Sequence, residues 1–289
     1  YCTSLKGLNF HSTVTINSKC FQHCYSIKEI DFDNADDIGD YAFFSCSGIL
    51  NLTIGSNVKS IGHYAFQNCT GLTEIHIPEQ IKSENCGDGV FDGCIGLTGE
   101  TTFPGHFTFV PSEYYSNCIG LQKLTLHENI TKIKSSAFYN CSSLGPDINL
   151  PETVTSIGDG AFYYCTGFTK GLSLHGNLTL GEFVFAQCTG LKSLTLSKGL
   201  TEIPSGTFYN CINMEGKLEL PETVTKINEF AFYKCSKFTD DLNLYNVLDV
   251  IGQYAFYGCS GFDGILTLSP GLIGISNYSF YRCSNLRGV

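Results

Sequence analysis

The residues best able to do chemistry in this chain are its fifteen cysteines and seven histidines. Cysteine and histidine bind metal ions when they cluster at short spacings such as C-x-x-C or H-E-x-x-H, and the sequence contains no such cluster. It also contains no G-x-S-x-G, phosphate loop or G-x-G-x-x-G sequence. We therefore predict no catalytic residue, no metal site and no cofactor, and we expect that the protein is not an enzyme.

Four aspartates occupy one short segment of the chain, namely Asp31, Asp33, Asp36 and Asp37. Their spacing is similar to the first half of a calcium-binding loop, but the sixth place lacks glycine and the twelfth lacks glutamate. We therefore expect a solvated acidic turn here, with a calcium site as the less favoured alternative.

Thirteen of the cysteines recur at a steady interval of 22 to 25 residues along the chain. They are Cys2, Cys24, Cys46, Cys69, Cys94, Cys118, Cys141, Cys165, Cys188, Cys211, Cys235, Cys259 and Cys283. A period of 20 to 29 residues is typical of a leucine-rich solenoid. The sequence thus predicts a mainly β solenoid, a right-handed coil of about twelve repeats of 22–25 residues with few or no long helices. We expect residues 1–289 to form a single leucine-rich repeat domain, a fragment of a longer chain without its caps.

Two further columns keep the same period as the cysteines. An aromatic residue, such as Phe66 or Phe208, stands three places before the cysteine, and an apolar pair such as Leu194 and Leu196 follows it. Alternation with period two predicts a strand with one buried face. Because one coil is too thin to bury its own apolar face, successive coils must stack. We therefore predict a continuous stack of rings along the axis of the solenoid.

The stacked arrangement also predicts the state of the cysteines. Parallel side chains on neighbouring coils keep their Cβ atoms about 4.8 Å apart, which is beyond the usual reach of a disulfide. We expect buried free thiols whose weak S–H groups reach a neighbouring carbonyl. Outside the column, we expect Cys20 to replace a core alanine. For Cys86 we favour an exposed free thiol in a loop, and a bond to Cys94 is the alternative.

The polar residues between the paired apolar positions of each strand should point outward. The candidate ligand-binding residues on this face are Asp31, Thr53, His76, Thr125, Asn149, Thr195, Glu219 and Asn243. Twelve coils would give a face about 55–60 Å long, which suits a protein or glycan partner better than a small metabolite. The alternative is that these side chains are simply solvated.

A stripe of tyrosines is the second candidate surface. It consists of the residues that follow the aromatic column in four consecutive coils, Tyr209, Tyr233, Tyr257 and Tyr281. Tyrosine is rigid and amphipathic, and it is enriched at recognition surfaces. The alternative, which we favour, is that rings on neighbouring coils cover one another and close the corner of the coil.

Charge and hydropathy limit the possible partners. The 17 basic residues are outnumbered by 27 acidic ones, which gives a net charge of −10 and argues against nucleic acid as the partner. No apolar run approaches 18 residues, so we expect no membrane span in this fragment.

The repeat itself resembles a known family. The run from Leu150 to Cys165 is similar to the pattern L-P-x-x-V-T-x-I-G-x-x-A-F-x-x-C of the BspA-like, Treponema pallidum-type leucine-rich repeats, and the run from Leu220 to Cys235 repeats it. Residues 100–115 and 176–185 depart from the pattern, so we expect local irregularity there. The resemblance implies a cell-surface or secreted protein of a host-associated bacterium or of a protozoan parasite such as Trichomonas. It also implies adhesion to host matrix proteins or to other cells.

Two functions remain open on these grounds. The leading hypothesis is a non-catalytic adhesion or recognition module, which binds a protein or glycan of a host or neighbouring cell through its outward strand face. The alternative is a structural spacer or a self-assembling rod that projects another domain.

Overall fold

Short β-strands make up the regular structure of the chain, whose computed structural model describes residues 2–146, 148–244 and 248–288. Within these residues the only helical segment is a 3-10 turn at Ser83–Asn85, because the strongly alternating apolar pairs favour extended backbone. In the same residues we find no helix with the length and apolar character that a membrane crossing requires. The prediction of a mainly β fold without long helices is confirmed.

The chain divides into two compact units, Tyr1–Leu144 and Gly145–Val289. The strands of the first unit are β1 (Gly7–Asn9), β2 (Val14–Ile16), β3 (Glu29–Asp31), β4 (Ala35–Ile38), β5 (Asn51–Thr53), β6 (Ser60–Ile61), β7 (Glu74–His76), β8 (Gly99–Thr102), β9 (Phe109–Val110), β10 (Leu121–Thr125) and β11 (Lys132–Ile133). The expectation that residues 1–289 form a single domain stays a prediction.

The second unit contains strands of the same kind. They are β12 (Ser156–Ile157), β13 (Leu172–Ser173), β14 (Thr179–Leu180), β15 (Leu194–Thr195), β16 (Glu202–Ile203), β17 (Glu215–Lys217), β18 (Lys226–Ile227), β19 (Lys237–Thr239), β20 (Leu242–Leu244), β21 (Val250–Ile251), β22 (Leu266–Leu268) and β23 (Gly274–Ile275).

Equivalent residues of successive coils lie beside one another within each unit. Leu52 pairs with Ile75 in the first unit, and Ile203 pairs with Ile227 in the second, always in parallel strands. Such pairing is what a solenoid requires, since each coil buries its apolar residues against the next coil. Each unit is therefore a parallel β solenoid, as predicted.

Two sets of strands run along each unit, and they differ in continuity. We call β1, β3, β5, β7, β8, β10, β13, β15, β17, β19, β20 and β22 the front strands, and the others the back strands. Back strands form longer sheets, such as β2-β4-β6 and β16-β18-β21-β23. The front strands of the described chain pair only two by two, as in β13-β15 and β17-β19. In the described residues the front sheet is therefore interrupted more often than the back sheet.

The aromatic column forms the axis of each unit. In the first unit the rings from Phe21 to Phe138 stack at centroid distances of 5.3 to 6.1 Å. In the second unit the rings from Phe162 to Phe280 stack at 5.3 to 6.0 Å. The predicted stack of rings is confirmed within each unit.

The column cysteines lie beside these rings as free thiols. The Sγ of Cys69 donates to the Phe43 carbonyl oxygen at 3.2 Å, and the Sγ of Cys188 donates to the Phe162 carbonyl oxygen at 3.1 Å. All fifteen cysteines are free, and those of the column from Cys24 to Cys259 are buried. The predicted thiol-to-carbonyl contacts are confirmed.

Two predictions about cysteines outside the column are wrong. Cys20 is exposed rather than part of the core. In the part of the chain that the structure describes, the backbone N–H groups of its corner, at Lys19, Phe21 and His23, all pair with the following coil. Cys86 is 6 % exposed and bridges to Ile61 in the back sheet. The 3-10 turn at Ser83–Asn85 takes up the extra residues of this coil, so Cys86 falls into a strand position instead of a loop. Its thiol is free, as favoured.

The two departures from the repeat pattern have different outcomes. Near residues 100–115 the expected irregularity is present, since the register of β8 and β10 shifts between Leu121 and Lys123. Near residues 176–185 the expectation is wrong, because Thr179 and Leu180 pair with β12 in ordinary register. Leu180 supplies the buried aliphatic side chain that this strand needs, although the usual motif is missing.

Candidate functional site

The strand face is the row of outward side chains on the front strands and on the residues in line with them. The structure exposes all eight predicted residues of this face, Asp31, Thr53, His76, Thr125, Asn149, Thr195, Glu219 and Asn243. Alternation of side chains along a strand explains this exposure, because the flanking apolar residues turn inward. The role of these residues in ligand binding stays a prediction.

Strand pairing brings some of these residues together. Thr53 lies opposite His76, and Thr195 lies opposite Ser173 on the neighbouring coil. Asn149 and Glu219 lie outside the strands, so the front sheet does not fix their register. The face is therefore a set of paired positions and not one uninterrupted ladder.

A groove of about 560 Å³ lies on the strand face of the second unit, and we call it the unit-2 groove. Its lining residues are Leu194, Thr195, Leu196, Lys198, Lys217, Glu219, Leu220, Pro221, Glu222 and Thr223. Two predicted residues, Thr195 and Glu219, thus meet in one concave site. Lys217 Nζ lies 3.6 Å from Glu219 Oε1, so charges of both signs stand at its rim.

A smaller groove of about 270 Å³ lies on the strand face of the first unit. It is lined by the predicted His76 together with Glu79, His106 and His127. His106 Nε2 lies 2.9 Å from the Ile81 carbonyl oxygen, which fixes that ring. His106 and His127 were not among the predicted site residues. His127 directly follows the apolar pair of its coil, and this place in the repeat could have indicated that it borders the strand face.

Acidic and imidazole side chains do not assemble a metal site in the described part of the chain. No group of three or more His, Cys, Asp or Glu residues there is placed to hold an ion. In the acidic turn, Asp36 pairs with Lys59 at 2.5 Å, and Asp37 accepts the Ser60 hydroxyl at 2.5 Å. Asp31 accepts the backbone N–H of Asp33. These carboxylates are thus engaged with protein groups.

The tyrosine stripe is a stack of rings on one corner of the second unit. The centroids of Tyr209 and Tyr233 lie 4.7 Å apart, and the next two distances, to Tyr257 and then Tyr281, are 4.9 and 5.4 Å. Three rings are half-buried, and Tyr281 is 49 % exposed. Burial raises the pKa of Tyr209 above its ordinary value. Because neighbouring rings cover each other's faces, the stripe offers ring edges and hydroxyls to a partner.

Two cations lie beside this stripe. Lys234 Nζ is 5.4 Å from the centre of the Tyr233 ring, and Arg282 Cζ is 5.8 Å from the centres of the Tyr257 and Tyr281 rings. Cation–π contacts of this kind stabilise exposed sites by about 0.5–1 kcal/mol. Two positively charged side chains thus flank the rings of the stripe.

The buried thiols have the wrong protonation state for nucleophilic chemistry. Burial raises the pKa of the Cys46 thiol to about 12, and burial likewise raises the pKa of Cys86 to about 12. A reactive cysteine needs the thiolate and therefore a lowered pKa. These thiols act as packed hydrogen-bond donors at neutral pH.

Comparison with known proteins identifies the repeat. A family model described as the BspA type leucine rich repeat region matches residues 1–122, 108–217 and 201–289, in six copies. No curated protein matches the sequence significantly.

Several solved structures share the fold. A leucine-rich repeat protein from Bacteroides ovatus is 24 % identical with a TM-score of 0.66, and the match covers 97 % of this chain and 85 % of the other. A leucine rich cell surface protein from Faecalibacterium prausnitzii is 21 % identical with a TM-score of 0.52, covering 98 % and 87 %. The pneumococcal vaccine antigen PcpA is 21 % identical with a TM-score of 0.50, covering 75 % and 66 %. At these identities the likeness is one of fold.

Proposed function

Because the chain belongs to the family of BspA-type leucine-rich repeat proteins, we propose that it is a non-catalytic recognition module outside the cell. It binds a protein or glycan of a host or neighbouring cell through the strand face. Two relatives of the same fold support this location, since one is described as a cell surface protein and the other as a vaccine antigen.

The observation that carries the proposal is the exposure of all eight predicted residues of the strand face. Hydroxyl, amide, imidazole and carboxylate groups there supply both donors and acceptors to a partner. The state of the thiols supports a non-catalytic role, because column thiols in each unit are packed against backbone carbonyls.

The test is an array of extracellular matrix proteins and glycans probed with the purified chain. We expect the array to retain the chain through at least one immobilised macromolecule. A Thr53→Arg/Thr195→Arg variant, altered on one front strand of each unit, should lose this retention. The matched control is Thr15→Arg/Thr179→Arg, which makes the same change at exposed threonines of the back strands. Retention of neither protein nor glycan, or equal loss in both variants, would overturn the proposal.

A rigid spacer or assembling rod is the second candidate function. The observation in its favour is the face-to-face stacking of the tyrosines, which stiffens a corner and leaves few ring faces for a ligand. Analytical ultracentrifugation over a wide concentration range separates the assembling rod from a monomeric binder. A sedimentation coefficient that rises with concentration supports the rod, and a constant one supports the monomeric binder.

A further inference from the structure

The unit-2 groove lies where the front sheet is interrupted. β15 pairs with β13, and β17 pairs with β19, but no ladder joins β15 to β17 in the described chain. Glu215 N donates to the Lys192 carbonyl oxygen at 2.8 Å just before the two coils part. One edge of β15 is therefore free of a neighbouring strand and faces the groove.

A glycine with left-handed backbone lies where the coils part. Gly216 in β17 has a φ of 84°, and a Cβ placed on it would meet no atom within 4 Å. Glycine takes a positive φ more readily than any other residue, because it has no Cβ. Gly99 in β8 has a φ of 85°, and the smaller groove opens in the same place relative to it. The same construction thus occurs once in each unit.

The walls of the unit-2 groove combine an apolar floor with a charged rim. Leu194, Leu196 and Pro221 supply aliphatic surface, and Leu196 is only 8 % exposed. Lys217 and Glu219 stand at the rim, where Lys198 and Glu222 add a second charge of each sign. The volume of about 560 Å³ lies within the range of pockets that bind ligands.

We propose that the unit-2 groove binds an extended peptide segment of a protein ligand, which adds as a strand to the free edge of β15. An aliphatic side chain of the peptide packs on the leucine floor. A basic and an acidic side chain flank it and pair with the rim charges of opposite sign. This inference rests on the proposed function and names its ligand as a protein.

The chemistry of the groove favours a peptide over a glycan. A strand edge offers backbone N–H and C=O groups in series at about 3.3 Å per residue, a spacing that only another peptide backbone matches. None of the ten lining residues that the structure describes is aromatic, so this described part of the groove presents no ring face on which a sugar could stack. The mixed charge of the rim is complementary to a peptide that carries both signs.

The experiment uses a library of random heptapeptides displayed on phage and panned against the whole chain. Selected peptides are synthesised, and their dissociation constants are measured by calorimetry. Thr195→Trp fills the groove and should weaken binding at least tenfold. Ser173→Trp is the matched control, because Ser173 lies opposite Thr195 on a coil with a paired neighbour. Circular dichroism confirms that both variants fold.

Two further measurements separate strand addition from side-chain binding alone. N-methylation removes main-chain donors, and it is applied either to the odd-numbered or to the even-numbered amides of the peptide. We expect only one of these two methylated peptides to lose binding, namely the one whose methylated amides face β15. Lys217→Glu/Glu219→Lys should weaken binding, and a peptide with its own charges exchanged should restore it. Equal binding by the methylated peptides, or no effect of the charge exchange, would overturn the proposal.

Failure of this inference can be told from failure of the proposed function. If the array retains a macromolecule and Thr195→Trp binds it as well as Ser173→Trp does, the proposal of peptide binding in the groove is overturned. Recognition through the strand face then still stands. If peptides are selected and Thr195→Trp blocks their binding, but the array retains nothing, the proposal for the groove stands and the proposed function is overturned. If no peptide is selected, the proposal for the groove is overturned.

Discussion

The cysteine side chain serves in this protein as a small buried donor. A column thiol such as Cys188 fills the space beside the aromatic stack and donates a hydrogen bond to a backbone carbonyl oxygen of the preceding coil. The period of the sequence was sufficient to predict this role. It was insufficient for Cys20 and Cys86, because their burial depends on which neighbours each coil has and on how the extra residues fold.

Thiol reactivity should follow this burial. We expect Ellman's reagent at pH 8 to label Cys2 and Cys20 rapidly and Cys283 more slowly, while the twelve buried thiols stay unlabelled. Denaturation should release all fifteen. Cys20→Ser should lower the number of rapidly labelled thiols per chain by one. Rapid labelling of more than three thiols in the native protein would contradict the packing.

Alkaline pH should destabilise the fold through the same groups. Burial raises the pKa of folded Cys46 to about 12 and that of Cys283 to about 11, whereas an unfolded thiol titrates near 8.5. The stabilising effect is complete below the unfolded pKa and is lost as the pH rises toward the folded values. Each such thiol lowers the free energy of unfolding by about 1.4 kcal/mol per pH unit in that window.

Urea midpoints measured from pH 7 to pH 11 test this dependence. We expect little change up to pH 8 and a steep fall above pH 9. Cys188→Ala should make the fall shallower, because it removes one titrating thiol. A midpoint that stays constant from pH 7 to pH 10.5 would contradict the raised pKa values.

At the scale of elements, the front and back strands share one coil but differ in continuity. The alternating apolar pairs were enough to predict both kinds of strand and the outward residues between them. The groove could not be predicted, because the repeat pattern does not show that β15 and β17 fail to pair or that Gly216 in β17 takes a positive φ. A glycine in a sequence does not reveal its φ, and many glycines of this chain adopt ordinary angles.

Position 216 should tolerate side chains according to their preference for positive φ. Gly216→Val should cost about 1–2 kcal/mol from backbone strain alone, since a Cβ meets no other atom there. Gly216→Asn should cost less, because asparagine enters the left-handed region more easily. Urea midpoints of the two variants provide the measurement, and equal midpoints would contradict the role of φ.

Stacking along the tyrosine stripe should contribute unequally along its length. Tyr233 has ring neighbours at 4.7 and 4.9 Å on its two faces, whereas Tyr281 has one such neighbour at 5.4 Å. At about 0.5–1.5 kcal/mol per aromatic pair, Tyr233→Ser should cost roughly twice as much stability as Tyr281→Ser. Thermal unfolding of both variants measures the difference. A larger loss for Tyr281→Ser would show that the stack is not the source of the stability.

At the scale of the whole molecule, the repeat period was enough to predict the class of fold and the family. It was insufficient to decide how many units of the chain unfold cooperatively. Like positions pair with like within each unit, so the local architecture is the same in both. The prediction of a single domain concerns energetic coupling, which a repeat sequence does not encode in any one residue.

Calorimetry of a destabilised variant tests the prediction of a single domain. Phe208→Ala removes a fully buried ring of the second unit and should cost about 3–5 kcal/mol. If the chain is one domain, the whole unfolding transition should move to lower temperature. Division into two transitions, of which only one moves, would contradict a single domain.

Hydrogen exchange of the backbone amides, with and without a macromolecule retained on the array, tests strand-face recognition most directly. We predict slower exchange in the bound state at front strands such as β5, β7 and β15, and no change at back strands such as β14 and β18. Protection confined to the corner that carries Tyr209, Tyr233, Tyr257 and Tyr281, with unchanged exchange in the front strands, would contradict recognition through the strand face.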